Sequence, residues 1–261
     1  MEPVGHRVRY NGFRKENRFR IKSGGVSMID LARIPAEART EPDALLPRTE
    51  DGFLHAVRPQ GMGHANAKAM SLHNKIARFY ARSHRLYVKL RFGGEIQYRW
   101  TFLSQLDIRR GDRVLEVSVG TGANLPILPA GARLYGIDLS PAMLREAARH
   151  LKEWGTEAEL IHGEAEHLPF RGESFDCVYQ IGGLSEFGDP VRAVREMVRV
   201  AKSGTKILLA GELERKSRIS LAKKGDAKRP DVLGMLPAGM LDIRYEEVCK
   251  GSMYRLTFVK P

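Results

Sequence analysis

The chain has 261 residues, 43% of them hydrophobic and 28% charged, with a formal net charge of +12. That is enough for one sizeable α/β domain plus an extension, in the composition of an ordinary globular protein. No apolar run approaches the roughly 18 residues needed to cross a bilayer, and the two cysteines, Cys177 and Cys249, give neither a disulfide framework nor a zinc spacing. They read as reduced thiols of a cytoplasmic protein. The positive charge points to an anionic partner, whether nucleic acid, an acidic lipid surface or an anionic substrate, and does not choose among them; a merely soluble, arginine-rich protein is an equal reading.

Residues 1–65 differ from the rest. "GHRVRYNGFRKENRFRIKSGG" is basic and lacks sustained periodicity, and "RIPAEARTEPDALLPRTEDG" adds prolines and acids. This is expected to be an extension, disordered or draped over the domain. It has no apolar h-region of a secretory signal. Met62 and Met70 leave a later true start as a further reading. Residues 66–110 are expected to form a helical lid. In "LHNKIARFYARSHRLYVKLRF" the residues Ile76, Phe79, Tyr80, Leu86, Tyr87 and Leu90 recur at helical intervals, and "IQYRWTFLSQL" sets Ile96, Trp100, Leu103 and Leu106 along one stripe. Residues 111–261 form the main domain. Its predicted strands are "RVLEVSV", "RLYGIDL", "AELIHG", "FDCVYQIG", "KILLAGEL", "IRYEEVC" and "MYRLTFVK". The first five are separated by helical or loop segments, as in a parallel sheet. The last two flank "KGS", which leaves no room for a crossover helix, so they pair antiparallel. Ser140 with Pro141, and Asp189 with Pro190, mark two helix starts. Val191, Val194, Val198 and Ala201 form the inward stripe of the second of these helices, and Lys202 and Gly204 close it.

The stretch "VLEVSVGTGANL", Val114 to Leu125, is a strand that stops in a glycine-bearing turn. Such a turn lets a ligand approach backbone N–H groups without a Cβ clash, at the carboxyl end of the strand. A tight turn with no ligand is the competing reading. Asp138 ends the next strand about 20 residues on, where a carboxylate can accept both hydroxyls of a ribose. Ser140 is the expected helix cap, which leaves Asp138 free for a ligand. A dinucleotide fingerprint needs a third glycine, and Leu125 stands in its place. A ligand with ribose and adenine but no phosphate fits better.

With "GEAEHLPFRGESFDCV" and "VREMVRVAKSGTKILL" added to "VLEVSVGTGANL" and "YGIDLSPAMLREA", the sequence resembles the class I S-adenosylmethionine-dependent methyltransferases from about Ser71 to Val259. It looks most like the branch of quinone-biosynthesis C-methyltransferases and phospholipid N-methyltransferases. The resemblance implies a Rossmann-like, seven-stranded, mostly parallel sheet of order 3-2-1-4-5-7-6, with helices on both faces and an antiparallel last strand. S-adenosylmethionine is the implied cofactor and S-adenosylhomocysteine the product. By position, Glu116 meets the methionine moiety and the backbone from Ser118 through Gly120 to Gly122 wraps it. Asp138 holds the ribose, with Leu139 and Met143 against the adenine. Glu164 accepts from the adenine amino group, the N–H of Ala165 meets a ring nitrogen, and Gln180 lies beside the reactive centre. Tyr80 either lies over the sulfonium or is a core aromatic. Where the family has glycine this chain has Ser118. Serine avoids the conformations reserved for glycine, so a small local adjustment of the bend is expected.

Methyl transfer from a sulfonium is an in-line displacement, and orientation alone supplies roughly 7–11 kcal/mol. A base is needed only where the acceptor must lose a proton. His84, Tyr87, Gln180, Ser185 and Glu186 are candidates at the mouth, each more readily structural, and no catalytic residue is assigned. "QIGGLSEF" lacks the Asp/Asn-Pro-Pro-aromatic run of base-amine methyltransferases, and Cys177 falls inside a strand rather than in a nucleophile loop. The implied acceptor is a small molecule, a quinone-like ring, a lipid headgroup or a protein side chain. The basic run after strand five, with Lys216, Arg218, Lys223, Lys224, Lys228 and Arg229, is either a solvated loop or a contact for an anionic membrane or an acidic partner. The alternatives are a nucleic-acid (RNA) methyltransferase or binder using the basic surface, which no recognisable RNA-binding module supports, and a cofactor-binding protein without catalysis. Oligomeric state is not legible.

Overall fold

The computed structural model describes residues 48–57, 62–213 and 231–261. The basic N-terminal stretch and the basic run at 216–229 lie outside the described residues.

Among the described residues, eight strands form one sheet. They are β1 (Leu54–His55), β2 (Arg113–Val117), β3 (Arg133–Asp138), β4 (Glu159–His162), β5 (Cys177–Ile181), β6 (Lys206–Glu212), β7 (Leu241–Val248) and β8 (Met253–Val259). Their order is β1-β4-β3-β2-β5-β6-β8-β7. Pairing is parallel from β1 to β6, and β8 runs antiparallel to both β6 and β7. Without β1 this is the expected Rossmann-like order. The seven-strand expectation is corrected by β1: residues assigned to the N-terminal extension add a parallel edge strand to β4, closed by Ala56 N donating to His162 O at 2.8 Å.

Among the described residues four α-helices accompany the sheet: α1 (His64–Phe92), α2 (Glu95–Leu103), α3 (Pro141–Trp154) and α4 (Pro190–Val200). Both predicted caps are present. Ser140 Oγ accepts from Met143 N, and Asp189 Oδ1 accepts from Arg192 N. Strand alternation then sorts the core. Leu115 and Val117 of β2 join Val194, Met197 and Val198 of α4 on one face, while Val114 joins Phe102 of α2 and Leu144, Ala147 and Leu151 of α3 on the other. Glu116 shares the parity of Val114, so its carboxylate is delivered to the α2–α3 face.

The helical stripes expected in the lid are turned. Among the described side chains of α1, Asn66, Ala77 and Val88 are buried, while Phe79, Leu86 and Leu90 are exposed. In α2, Tyr98, Arg99, Phe102 and Leu103 are buried, and Ile96 and Trp100 stand half out of the protein. Periodicity marks a helix with two apolar sides; the side that is buried depends on which one meets the sheet. α1 docks through polar side chains. Asn66 Oδ1 accepts from Gly188 N at 2.8 Å and its Nδ2 donates to Glu164 at 3.1 Å. Asn74 Oδ1 accepts from Ser140 Oγ at 2.7 Å, His73 Nε2 meets Glu186 at 2.9 Å, and together these contacts fasten α1 across the carboxyl ends of the strands.

Candidate functional site

The bend after β2 is built around left-handed backbone. Ser118, Gly120 and Gly122 have φ of 62°, 54° and 74°. The expectation that Ser118 would avoid the glycine conformation is therefore overturned: a serine holds the left-handed region, which costs a side-chain-bearing residue about 1–2 kcal/mol. The three positions are not equivalent. A Cβ on Gly120 would meet nothing within 4 Å, so that backbone faces open space, whereas a Cβ on Gly122 would press Ala147 of α3 at 3.3 Å. Gly122 serves helix packing and Gly120 serves the hollow.

Asp138 ties the bend to the end of β3. Its Oδ2 accepts from Gly120 N and its Oδ1 from Ser140 N, each at 2.8 Å. Ser140 caps α3 as expected, yet Asp138 is not free of protein contacts. It bridges two backbone donors and still lines the hollow, with lone pairs left on both oxygens. Burial pushes its carboxyl above the usual range, against the pull of those two N–H groups.

Two adjoining hollows open at the carboxyl ends of β2, β3 and β5. The first is lined by Asp138, Leu139, Met143, Ala165 and Glu166, and by Asn66, Met70 and His73 of α1. The second is lined by Glu116, Asn124, His150 and Trp154, and by His84, Glu95, Tyr98 and Arg99 of the lid. Tyr80, Ser118, Gly120, Ile181 and Gly182 border both, so the hollows meet there. Tyr80 is stacked on His84 at 5.6 Å between ring centroids and is 39% exposed, so it is a wall of the site rather than a core aromatic. Burial, with Glu186 nearby, holds its phenol above the ordinary range and hence neutral. Burial lowers His84, with Arg99 adding to the effect, so its imidazole is neutral as well.

The floor of the second hollow is a buried polar chain. Glu116 Oε1 accepts from Asn124 Nδ2 at 2.5 Å, and its Oε2 accepts from Tyr179 Oη at 2.9 Å. Tyr179 stands beside Glu116 in the β2–β5 register. Asn124 Oδ1 accepts from Arg99 Nη1 at 2.7 Å, and Arg99 Nη2 donates to Glu95 at 2.9 Å. Burial pushes the Glu116 carboxyl up to about 7, although Asn124 and Tyr179 oppose that shift by donating to it. A buried arginine beside a raised carboxyl, both facing one hollow, suits a zwitterionic ligand. Sequence reasoning missed Arg99, Asn66, His73 and Asn124. A lone charged residue in an amphipathic helix carries no pattern, although Glu95 and Arg99 at i, i+4 were visible as a helical pair.

Three expected positions lie outside the lining of both hollows: Gly122, set against Ala147 of α3, and also Glu164 and Gln180. Glu164 is buried and turned to Asn66. Gln180 is fully buried beneath the turn after β5. Its Oε1 accepts from the N–H groups of Gly182, Gly183 and Leu184, and its Nε2 donates to Ala210 O at 3.3 Å. It braces the turn whose residues reach the hollow. Among the other mouth candidates, His84 and Glu186 line the hollows. No group of residues suited to hold a metal ion occurs among the described residues, nor is any described helix long and apolar enough to cross a membrane.

A family described as a methyltransferase domain matches residues 115–209, the stretch from β2 to β6 that carries this bend. An uncharacterized methyltransferase of Bacillus subtilis, YdaC, is 31% identical over 148 residues, covering 56% of this chain and 80% of that protein. The chain belongs to the class I S-adenosylmethionine-dependent methyltransferases. Phosphatidylethanolamine N-methyltransferase of Cereibacter sphaeroides is 37% identical over 128 residues, 48% of this chain and 63% of that relative. Demethylmenaquinone methyltransferase of Geobacillus is 27% identical over 147 residues, 54% of this chain and 63% of its own length. The chain thus spans under two thirds of either named enzyme. For the fold, the Haemonchus contortus phosphoethanolamine N-methyltransferase 2, solved with phosphomonomethylethanolamine and S-adenosylhomocysteine, superposes with a TM-score of 0.55 at 16% identity, covering 71% of this chain and 59% of that one. The cofactor of this methyltransferase is S-adenosylmethionine, and the open face of Gly120, the bridging carboxylate of Asp138 and the Arg99–Glu116 floor fit it.

Proposed function

We propose that this methyltransferase moves a methyl group to a small, lipid-like acceptor, a phospholipid amine headgroup or a quinone-type ring. The carrying observation is that the two hollows meet at Tyr80, Ser118, Gly120 and Gly182. In this reading the first hollow takes adenosine, with Asp138 on the ribose hydroxyls and Leu139 and Met143 against the base. The second takes the amino-acid arm, with Glu116 facing its ammonium and Arg99 its carboxylate. The bound cofactor supplies an already activated methyl on a sulfonium. The chain supplies alignment, which is worth roughly 7–11 kcal/mol when reacting atoms are held in line. Tyr80, neutral and at the junction, faces the cation with its ring, a contact worth about 0.5–2 kcal/mol.

Neutral His84, stacked on Tyr80, is the group placed to take a proton from an amine or an acidic ring carbon. Lipid and quinone acceptors are favoured over nucleic acid because the named relatives act on phosphatidylethanolamine and demethylmenaquinone. The chemistry needed for either is the same: an apolar body must be held while one polar atom faces the methyl. Calorimetry with S-adenosylmethionine, followed by tritiated methyl transfer to phosphatidylethanolamine and to demethylmenaquinone, tests the reading. Binding lost at least roughly tenfold in Asp138→Ala, with transfer to one of the two acceptors, is expected, since an unpaired ribose hydroxyl pair forfeits charge-assisted hydrogen bonds. Transfer to neither, with intact binding, sinks the acceptor class; no binding at all sinks the site.

A further inference from the structure

The helix that walls the site has a second apolar side that stands largely exposed. Leu72, Phe79 and Leu86 follow one another at seven-residue intervals, and Leu90 stands one turn further on. At 3.6 residues per turn these four project within a narrow strip along α1. They are 53%, 71%, 59% and 79% exposed, and they lie opposite the docked face of Ala77 and Val88. Large apolar residues scattered singly on a surface need no explanation, but an aligned strip of them does. Ile96 and Trp100, one turn apart on α2, continue the exposure at 50% and 55%.

The charge on this helix identifies the occupant. No Asp or Glu occurs between His64 and Phe92, whereas Lys68, Lys75, Arg78, Lys89 and Arg91 do, all five of them exposed. A second copy of the chain seated strip to strip would set one acid-free basic helix against another, which like charges oppose. The chain's own segment from Gly5 to Gly25 is no better suited, because its sequence is basic too. An apolar strip flanked by Lys and Arg, with a tryptophan nearby, instead matches the chemistry of a helix lying in the headgroup region of an anionic bilayer.

We propose that the outward strip of α1 docks this methyltransferase onto an anionic membrane surface. The polar face of the same helix closes the cofactor hollow through Asn66, His73 and Tyr80, so docking sets the mouth of the site at the depth where lipid headgroups lie. The inference extends the lipid-acceptor reading but stands on a separate face, and vesicle binding is measured apart from cofactor binding.

The test is co-sedimentation of the full chain with vesicles of phosphatidylcholine, with and without about 30% phosphatidylglycerol, across a salt series. The wild-type chain is expected to bind the anionic vesicles at least roughly tenfold more tightly than the neutral ones, with affinity falling as salt rises. The triple variant Phe79→Ser, Leu86→Ser, Leu90→Ser, and separately Lys75→Glu with Arg78→Glu, are each expected to lose about tenfold or more on anionic vesicles. Calorimetry should show unchanged S-adenosylmethionine affinity in both variants. The proposal is overturned if the wild-type chain ignores anionic vesicles, or if the serine variant binds them as tightly as wild type. It is equally overturned if light scattering shows a wild-type dimer that the serine variant splits while vesicle binding stays unchanged. Loss of cofactor binding alone would strike the proposed function and leave this result standing.

Discussion

Ser118 holds a left-handed backbone that glycine would hold more easily, and Gly183 shows how the site accommodates it. A Cβ built on Gly183 would come within 2.4 Å of Ser118 Oγ and 2.7 Å of Ser118 Cβ. The serine side chain fills the place of a side chain on the turn after β5, so the small residue has moved across the site. Ser118→Gly should therefore fold normally and gain about 1 kcal/mol from relieved backbone strain, read as a shift in the urea midpoint. Gly183→Ala alone should lose about 1–3 kcal/mol by overpacking, and most of that loss should vanish in the Ser118→Gly background. Equal losses in both backgrounds would separate the two positions. Glu116 makes a second prediction at this scale. Its carboxyl titrates near 7 in the fold against 4.5 as its ordinary value. A raised acid contributes stability that is whole below pH 4.5 and is lost as pH rises through about 7, so the unliganded protein weakens over that window by up to about 3 kcal/mol. Glu116→Gln should flatten this pH dependence in thermal melts. It should also weaken S-adenosylmethionine binding, because the ammonium loses its anion.

At the scale of elements, the strands were legible and their partners were less so. β2 to β6 are buried on both faces and appear as short continuous apolar runs between turn residues, which is why they read as strands of a parallel sheet, while their order was implied by the family resemblance. β1 has two residues and no such run, and only its pairing to β4 makes it a strand. The lid helices were legible as helices but not in their orientation, since Phe79 and Leu90 look as buriable in sequence as Val88. Arg99 and Asn66 carried no pattern at all; their roles come from what α1 and α2 lie across. β1 also carries a pH prediction. The Nδ1 atoms of His55 and His162 are 3.0 Å apart, and His162 Nε2 faces Leu139 O at 3.0 Å. That carbonyl can only accept, so the His162 hydrogen is on Nε2 and its Nδ1 accepts from His55. Burial lowers His162 below 6.5, and His55 and Arg145 disfavour its protonated form further. The stability tied to its neutral ring is therefore fully present above pH 6.5 and is lost as pH falls through the folded value. Amide exchange at Leu54–Ala56 should accelerate on acidification before that of β2 or β5 does. His55→Ala should speed that exchange at every pH and remove its dependence on the histidine pair.

For the whole molecule, the cofactor site is also the seam between the lid and the sheet. α1 reaches the strands through Asn66, His73 and Asn74, and both hollows have one wall from the lid and one from the sheet. A ligand that fills both hollows then adds contacts to each side at once, and stability gained at the site is shared by the lid. At a hundred times its dissociation constant, S-adenosylhomocysteine should stabilise the folded chain by about 2.7 kcal/mol. For a protein of this size that corresponds to a rise in Tm of roughly 5–10 °C. The protection should not be uniform. Amides of α1 around Asn66 to Tyr80 should slow in hydrogen exchange as much as those of the bend from Ser118 to Gly122, while β7, at the far edge of the sheet, should change little. His73→Ala tests whether α1 is held as argued. Burial lowers His73 while its bond to Glu186 raises it, and the bond wins, so the pair is charged below the raised value and weakens as pH climbs through it. The variant should lose the pH dependence of lid protection and keep the protection of the bend. If both fade together, the lid and the sheet form one unit and the latch at His73 has no separate existence.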